Sequence, residues 1–167
     1  EERLLALKAD MLPGLSTTSY KASRQGNKVL FTAAQKNAAR IVKEYTLNEN
    51  KNILSMDVAI TNLSSDTIPL SYLVNGPLGM KEIGEVKGRS FFQLNSDIDG
   101  TVIRKGSLKG KIIQNGIISW AALKNRYFTI IIKPQENPEA VHLSGSGKTG
   151  LSFDIKSHLY ELKPGET

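Results

Sequence analysis

An antiparallel, nearly all-β domain built as a sandwich is the fold class that this sequence predicts. Three observations predict it. Apolar and polar residues alternate with period two in most segments. Turn-forming residues separate these segments at intervals of about 8 to 12 residues. Helical spacing is confined to Glu1–Leu12.

Within Glu1–Leu12, Leu4, Leu5, Lys8, Met11 and Leu12 fall at helical spacing and Pro13-Gly14 would stop the helix. A strand followed by a loop fits the same residues. Ser16–Asn27 is polar and reads as loop, so residues 1–27 form an N-terminal segment of open structure. Lys28–Thr32 is the next strand candidate. Ala39, Ile41, Tyr45 and Leu47 then alternate with Arg40, Glu44 and Thr46. Leu54, Met56, Val58 and Ile60 alternate with Ser55, Asp57, Ala59 and Thr61. These are strands with one buried face, joined by the polar connection Asn48–Asn52. Asn62–Asp66 is a second polar connection. It leads to Ile68–Val74, which ends at Asn75-Gly76-Pro77.

Ser90–Leu94 and Thr101–Arg104 are further strands, with Asp99-Gly100 between them as residues that tolerate φ > 0. Lys111–Ala121 reads as one apolar strand interrupted at Gly116, where a bulge is expected. Tyr127–Lys133 follows. Finally Leu151, Phe153, Ile155 and Leu159 alternate with Ser152, Asp154, Lys156 and His158. The expected organisation is one β-sandwich domain over residues 28–167, with no internal repeat.

The chain has 167 residues and no cysteine, so it holds neither a disulfide framework nor a thiolate ligand or nucleophile. No apolar run approaches the ~18 to 20 residues needed to span a bilayer. The chain opens on Glu1-Glu2-Arg3 without an initiator Met and without a signal-peptide pattern, and reads as a piece of a longer protein. Net charge is +6. No acidic residue lies between Asp99 and Glu136, while Arg104, Lys105, Lys109, Lys111, Lys124, Arg126 and Lys133 do. The first reading of this stretch is solvated strand faces and tips. The functional reading is a patch of Lys109, Lys111, Lys124 and Arg126 touching anionic lipid headgroups or an acidic partner. Nucleic acid is not expected, because single-strand sites interleave aromatics with the charges.

Several motifs fail on their chemistry. Gly145-Ser146-Gly147-Lys148-Thr149 resembles the end of a phosphate-binding loop, but the glycine required five residues before the Gly-Lys pair is His142. An alternating strand follows it instead of a helix, so a hairpin turn is expected. His142 and His158 are the two histidines, 16 residues apart with no cysteine or paired acids nearby, which is a poor metal set. Asp97 and Asp99 flank a turn and read as turn residues. No nucleophile signature joins a serine to a histidine and an acid. No catalytic residue, cofactor or metal is expected.

The most distinctive segment is Trp120-Ala-Ala-Leu-Lys-Asn-Arg-Tyr127-Phe128-Thr-Ile-Ile-Ile-Lys-Pro134. It resembles a segment of the periplasmic domain of YidC-type membrane protein insertases, in which a Trp-x-Ala, a four-residue spacer, a Tyr-Phe pair and a Pro after a strand recur. Trp120, Ala122, Tyr127, Phe128 and Pro134 match without a gap. Arg40–Leu47, a polar turn and Leu54–Asn62 resemble successive strands of that family. Thr61-Asn62-Leu63 leads into Ile68-Pro69-Leu70 as it does there. Leu162-Lys163-Pro164-Gly165-Glu166-Thr167 resembles the family's Pro-Gly turn before its last strand. Physically, Trp120–Pro134 reads as a hairpin with Lys124-Asn125-Arg126 at its tip. Burial of Trp120, Tyr127 and Phe128 in the core is expected over a ligand-stacking platform.

The resemblance covers most of residues 28–167. It implies an extended, mutarotase-like β-sandwich on the periplasmic side of the bacterial inner membrane. It implies a non-catalytic role, supporting the insertion and folding of membrane proteins by scaffolding or partner docking. The implied partners are a membrane-embedded insertase core, Sec translocon components and nascent membrane proteins. The family pattern continues beyond the position of Thr167, which leaves open whether residues 28–167 are a truncated domain. The rival reading is a carbohydrate-binding or mutarotase-like sandwich protein, for which the two histidines offer little acid–base machinery.

Overall fold

The computed structural model describes residues 5–10, 12, 18–51, 53–77, 92–147 and 150–167. Among them there is no helix. The strands are β1 (Leu7–Ala9), β2 (Lys21–Gln25), β3 (Lys28–Gln35), β4 (Ala39–Asn48) and β5 (Ile53–Asn62). Then come β6 (Ile68–Leu70), β7 (Tyr72–Asn75), β8 (Gln93–Ile98), β9 (Thr101–Lys105) and β10 (Leu108–Asn115). The chain finishes with β11 (Ile118–Lys124), β12 (Thr129–Ile132), β13 (Ala140–Gly147), β14 (Ser152–Lys156) and β15 (Tyr160–Leu162). The fold is all-β with antiparallel sheets, as the alternation predicts. The chain divides into two compact units, one of Glu1–Lys8 and Ser71–His158, the other of Ala9–Leu70 and Leu159–Thr167.

The first unit is a sandwich. One sheet has the order β1-β7-β14-β13-β10 and the other β12-β11-β8-β9. Between them lie Val141, Leu143, Phe153 and Ile155 from the first sheet, and Leu94, Ile98, Ile118, Ala121 and Leu123 from the second. Each fully buried aliphatic or aromatic side chain contributes roughly 1.5 to 3 kcal/mol. The alternation read at Phe153 and Ile155 is thus the alternation of core and outer face. β14 ends at Lys156, however, short of the expected His158 and Leu159.

Two local expectations change. Lys111–Ala121 is not one bulged strand. Gly116 sits at φ 133° and separates β10 in one sheet from β11 in the other. A Cβ there would lie 2.6 Å from the Asp99 carboxylate and 2.8 Å from Ile98. The carboxylate is held in place because it accepts the Ile117 N–H at 2.8 Å. Asp99 and Gly100 have φ of 52° and 75°, the paired positive values of a two-residue hairpin turn between β8 and β9. Gly145-Ser146-Gly147 is strand rather than turn: it pairs with Leu108–Gly110 on β10, and Lys148-Thr149 lies outside the described residues. Within Glu1–Leu12, where helix and strand both fitted the sequence, the described residues carry a short strand. Leu5 donates to the Asn75 carbonyl and Asn75 donates to the Ala6 carbonyl, both at 2.9 Å. The expected strand Ser90–Leu94 falls partly outside the described residues, and β8 begins at Gln93.

The second unit holds a four-stranded meander, β2-β3-β4-β5, and the pair β6-β15. β2 lies in the segment read as loop. Its five residues are all exposed, so it carries no burial pattern, and it is held by ladder bonds to β3. Ala39, Ile41 and Ile60 are buried on one face of the meander. The Asn62–Asp66 connection is organised by one fully buried side chain. Asn62 Nδ2 donates to the carbonyls of Asp66 at 2.7 Å and Leu162 at 2.8 Å. Its Oδ1 accepts from Ser64 N at 2.8 Å and Ser64 Oγ at 2.7 Å. Lys163-Pro164-Gly165-Glu166 closes a turn with Gly165 at φ 79° and Glu166 N donating to Lys163 O at 3.0 Å, the geometry that Pro-Gly favours.

Candidate functional site

A polar arrangement lies on the outward face of the five-stranded sheet of the first unit. Because Val141, Leu143, Phe153 and Ile155 face the core, His142 and Asp154 must face away. Register places His142 beside Asp154, and Asp154 beside Asn75 on β7. Lys111 is opposite Ser144 on the same face, and Lys156 bonds Glu139 at 2.8 Å. Asn75 Nδ2 donates to Asp154 Oδ1 at 2.8 Å. Asn75 is 1% exposed and His142 7%, so both are buried although they point away from the sandwich core. Asn75 Oδ1 and His142 Nδ1 are buried without a hydrogen-bond partner. Burial lowers the His142 pKa below 6.5, Lys111 lowers it further, and Asp154 opposes both. The imidazole is therefore neutral at neutral pH, with one nitrogen able to accept a proton or a hydrogen bond. Sequence reasoning read His142 as ordinary and Asn75 as a turn residue. The Asn75-Gly76-Pro77 turn signal concealed that its first residue closes a strand and is buried.

The Trp120–Pro134 segment forms the predicted hairpin, with different burial. Trp120 lies within β11, not at its end, opposite Asp97 after a register shift, and is half-buried. Ala122 is buried and Pro134 half-buried. Tyr127 and Phe128 are 57% and 61% exposed, which corrects the expectation that they belong to the core. The reason is local. Asn125 Oδ1 accepts the N–H groups of both Tyr127 and Phe128 at 2.8 Å, while Asn125 N donates to Phe128 O. This side-chain-closed turn takes the pair out of the strands, and β12 begins at Thr129. Arg126 lies over the Tyr127 ring at 5.7 Å.

The basic residues divide between the sheets. Leu108 and Ile112 face the core, so Lys109 and Lys111 lie on the outer face of β10. Lys124 and Arg126 belong to the β11–β12 hairpin of the opposite sheet, and all four are exposed. They form two pairs, not one cluster. His158 is exposed and its ring bonds the Asn137 carbonyl at 3.0 Å. Asp99 is the turn residue described above, and Asp97 Oδ1 is buried without a partner. No group of three or more His, Cys, Asp or Glu among the described residues has metal-holding geometry. In the second unit, buried Lys43 lies 4.6 Å from the centre of the Tyr20 ring, and desolvation lowers its pKa.

No protein-family model matches the chain. A curated protein, the membrane protein insertase YidC of Chlorobaculum tepidum, is 23% identical over 125 residues, or 71% of this chain. The alignment covers 21% of that relative, so the chain spans about a fifth of its length. Among solved structures, a galactose mutarotase-like protein from Lactobacillus casei superposes with a TM-score of 0.58 and 14% identity. That match covers 87% of this chain and 69% of the other, and it shows a mutarotase-like β-sandwich fold. The sequence similarity shows a weak YidC-like relation and agrees with the resemblance carried by the Trp120–Pro134 segment.

Proposed function

We propose that this chain is a non-catalytic domain of a YidC-type insertase, lying on the periplasmic side of the inner membrane and supporting insertion by scaffolding or partner docking. The observation that carries this reading is the similarity to an insertase over 71% of the chain. The mutarotase-like fold is compatible with it. No helix among the described residues is long and apolar enough to cross a membrane. The membrane-embedded core, Sec translocon components and nascent membrane proteins are the partners this role requires, and the exposed basic pairs suit weak contact with anionic headgroups. The absence of cysteine from these residues permits a direct test. In the parent protein, Ser23→Cys on exposed β2 should react with a membrane-impermeant maleimide in intact spheroplasts. Labelling only after lysis overturns the periplasmic placement. Deleting residues 28–167 should leave the insertion chemistry working and weaken partner capture. A complete loss of insertion despite normal levels of the shortened protein overturns the accessory role.

A second reading is a sugar- or polyol-binding sandwich, favoured by the partnerless His142 Nδ1 and Asn75 Oδ1. Calorimetric titration with simple sugars separates the two. Saturable heat that disappears in His142→Leu supports this reading, and no heat removes it.

A further inference from the structure

A sheet edge is an unpaired row of donors and acceptors, and proteins guard it with charge or proline. The terminal strands of this chain are guarded in that way with one exception among the described residues. β1 carries Lys8, β10 carries Lys109 and Lys111, and β9 carries Arg104 and Lys105. In the second unit β2 carries Lys21 and Arg24, β5 Asp57, β15 Glu161 and β6 Pro69. β12, at the end of β12-β11-β8-β9, reads Thr-Ile-Ile-Ile.

Its register says which groups are offered. Asn125 N bonds Phe128 O, so those two residues face each other as a hydrogen-bonded pair. In an antiparallel ladder such pairs alternate with non-bonded ones. Lys124↔Thr129 and Ala122↔Ile131 are thus non-bonded pairs, and Leu123↔Ile130 and Ala121↔Ile132 are bonded. The N–H and C=O of Thr129 and Ile131 therefore point away from β11, along the open edge. Both residues are exposed, Ile131 at 60%. Tyr127 and Phe128, 57% and 61% exposed, continue the apolar surface into the turn.

We infer that β12 is a docking edge for an extended polypeptide segment of a partner protein, apolar at alternate positions and acidic at both ends. The segment adds to the sheet as a further antiparallel or parallel strand, bonded to Thr129 and Ile131. The charge around the edge selects this occupant. Lys124 stands at one end and Lys133 at the other, both exposed. The nearest acids in sequence are Asp99 and Glu136, with half-buried Asp97 two strands away on β8. A second copy is disfavoured by the same charges. Antiparallel pairing of Thr129 of one copy with Ile131 of another would set each Lys133 opposite the other copy's Tyr127, at the hairpin end that carries Lys124. The inference rests on the edge itself and holds whether or not the chain serves an insertase.

The test uses the 167-residue chain and a fluorescein-labelled peptide of alternating valine and threonine with Asp-Glu at each end. Amide exchange and fluorescence polarisation are the readouts. At saturating peptide, the Thr129 and Ile131 amides should become protected while those of Ile130 and Ile132, already bonded to β11, stay unchanged. Ile131→Pro removes an N–H that β11 does not use, at an edge where proline is tolerated. It should keep the melting temperature and weaken binding at least about tenfold. Lys124→Glu with Lys133→Glu should exchange the preference for the acidic peptide for one with lysine ends. Unchanged exchange at Thr129 and Ile131, or equal binding by Ile131→Pro, overturns the inference. So does a dimer that Ile131→Pro dissolves, which would assign the edge to a second copy.

Discussion

The two four-stranded sheets of this protein come from similar alternating sequence and are buried differently. In β12-β11-β8-β9 the inward residues Leu94, Ala121 and Leu123 are at most 1% exposed, because a second sheet lies against them. In the meander β2–β5, the face bearing Ile41 and Ile60 is closed at one end and opens toward the β4–β5 turn. There, paired Leu47 and Leu54 are 44% and 56% exposed. Between these ends, Phe31 and Tyr45 meet edge-to-face at 5.5 Å, and buried Lys43 interrupts the apolar row. Alternation tells which side of a strand is apolar. How much of that side is shielded depends on what packs against it, so equal patterns need not carry equal stability.

The largest expected effect is in the closed sandwich. Phe153→Ala should cost about 3 to 5 kcal/mol, a large share of a typical ~5 to 15 kcal/mol total. Denaturant unfolding measures it, and a cost near zero would mean the first unit has no tight core. Asn62→Ala tests the second unit, whose connection hangs on one buried amide. Loss of its four hydrogen bonds, two of them to backbone carbonyls, should cost about 1 to 3 kcal/mol. A loss equal to that of Phe153→Ala would erase the contrast between the units.

His142 sharpens the comparison through pH. Its folded pKa is lowered, so just below 6.5 the unfolded chain binds the proton that the folded chain refuses. Its contribution to stability is full above 6.5 and is lost as pH falls through the lower folded value. The melting temperature should decline on acidification, less steeply in His142→Gln. Parallel profiles would show that other groups carry the acid sensitivity. The smallest effects belong to exposed apolar residues. Phe128→Ala and Leu54→Ala should each change stability by no more than about 0.5 kcal/mol in thermal melts. A loss of core size at Phe128 would restore the buried aromatic pair that the turn geometry contradicts.

The sequence alone determined the all-β class, the long hairpin of β4 and β5, the alternation of Phe153 and Ile155, and the turn at Asp99-Gly100. Each is a local matter: period two sets faces, and glycine, asparagine and proline set φ. Only the tertiary structure decided the rest. Gly116 marks a change of sheet because two apolar half-strands separated by a glycine look the same whether they bulge or part company. β2 has no apolar face to announce it, since ladder bonds to β3 hold it. Tyr127 and Phe128 are exposed because Asn125 captures their N–H groups, and hydrophobicity alone does not reveal that capture. Asn75, His142 and Asp154 come together across three strands from distant parts of the chain, an adjacency created by strand order, which no local pattern encodes.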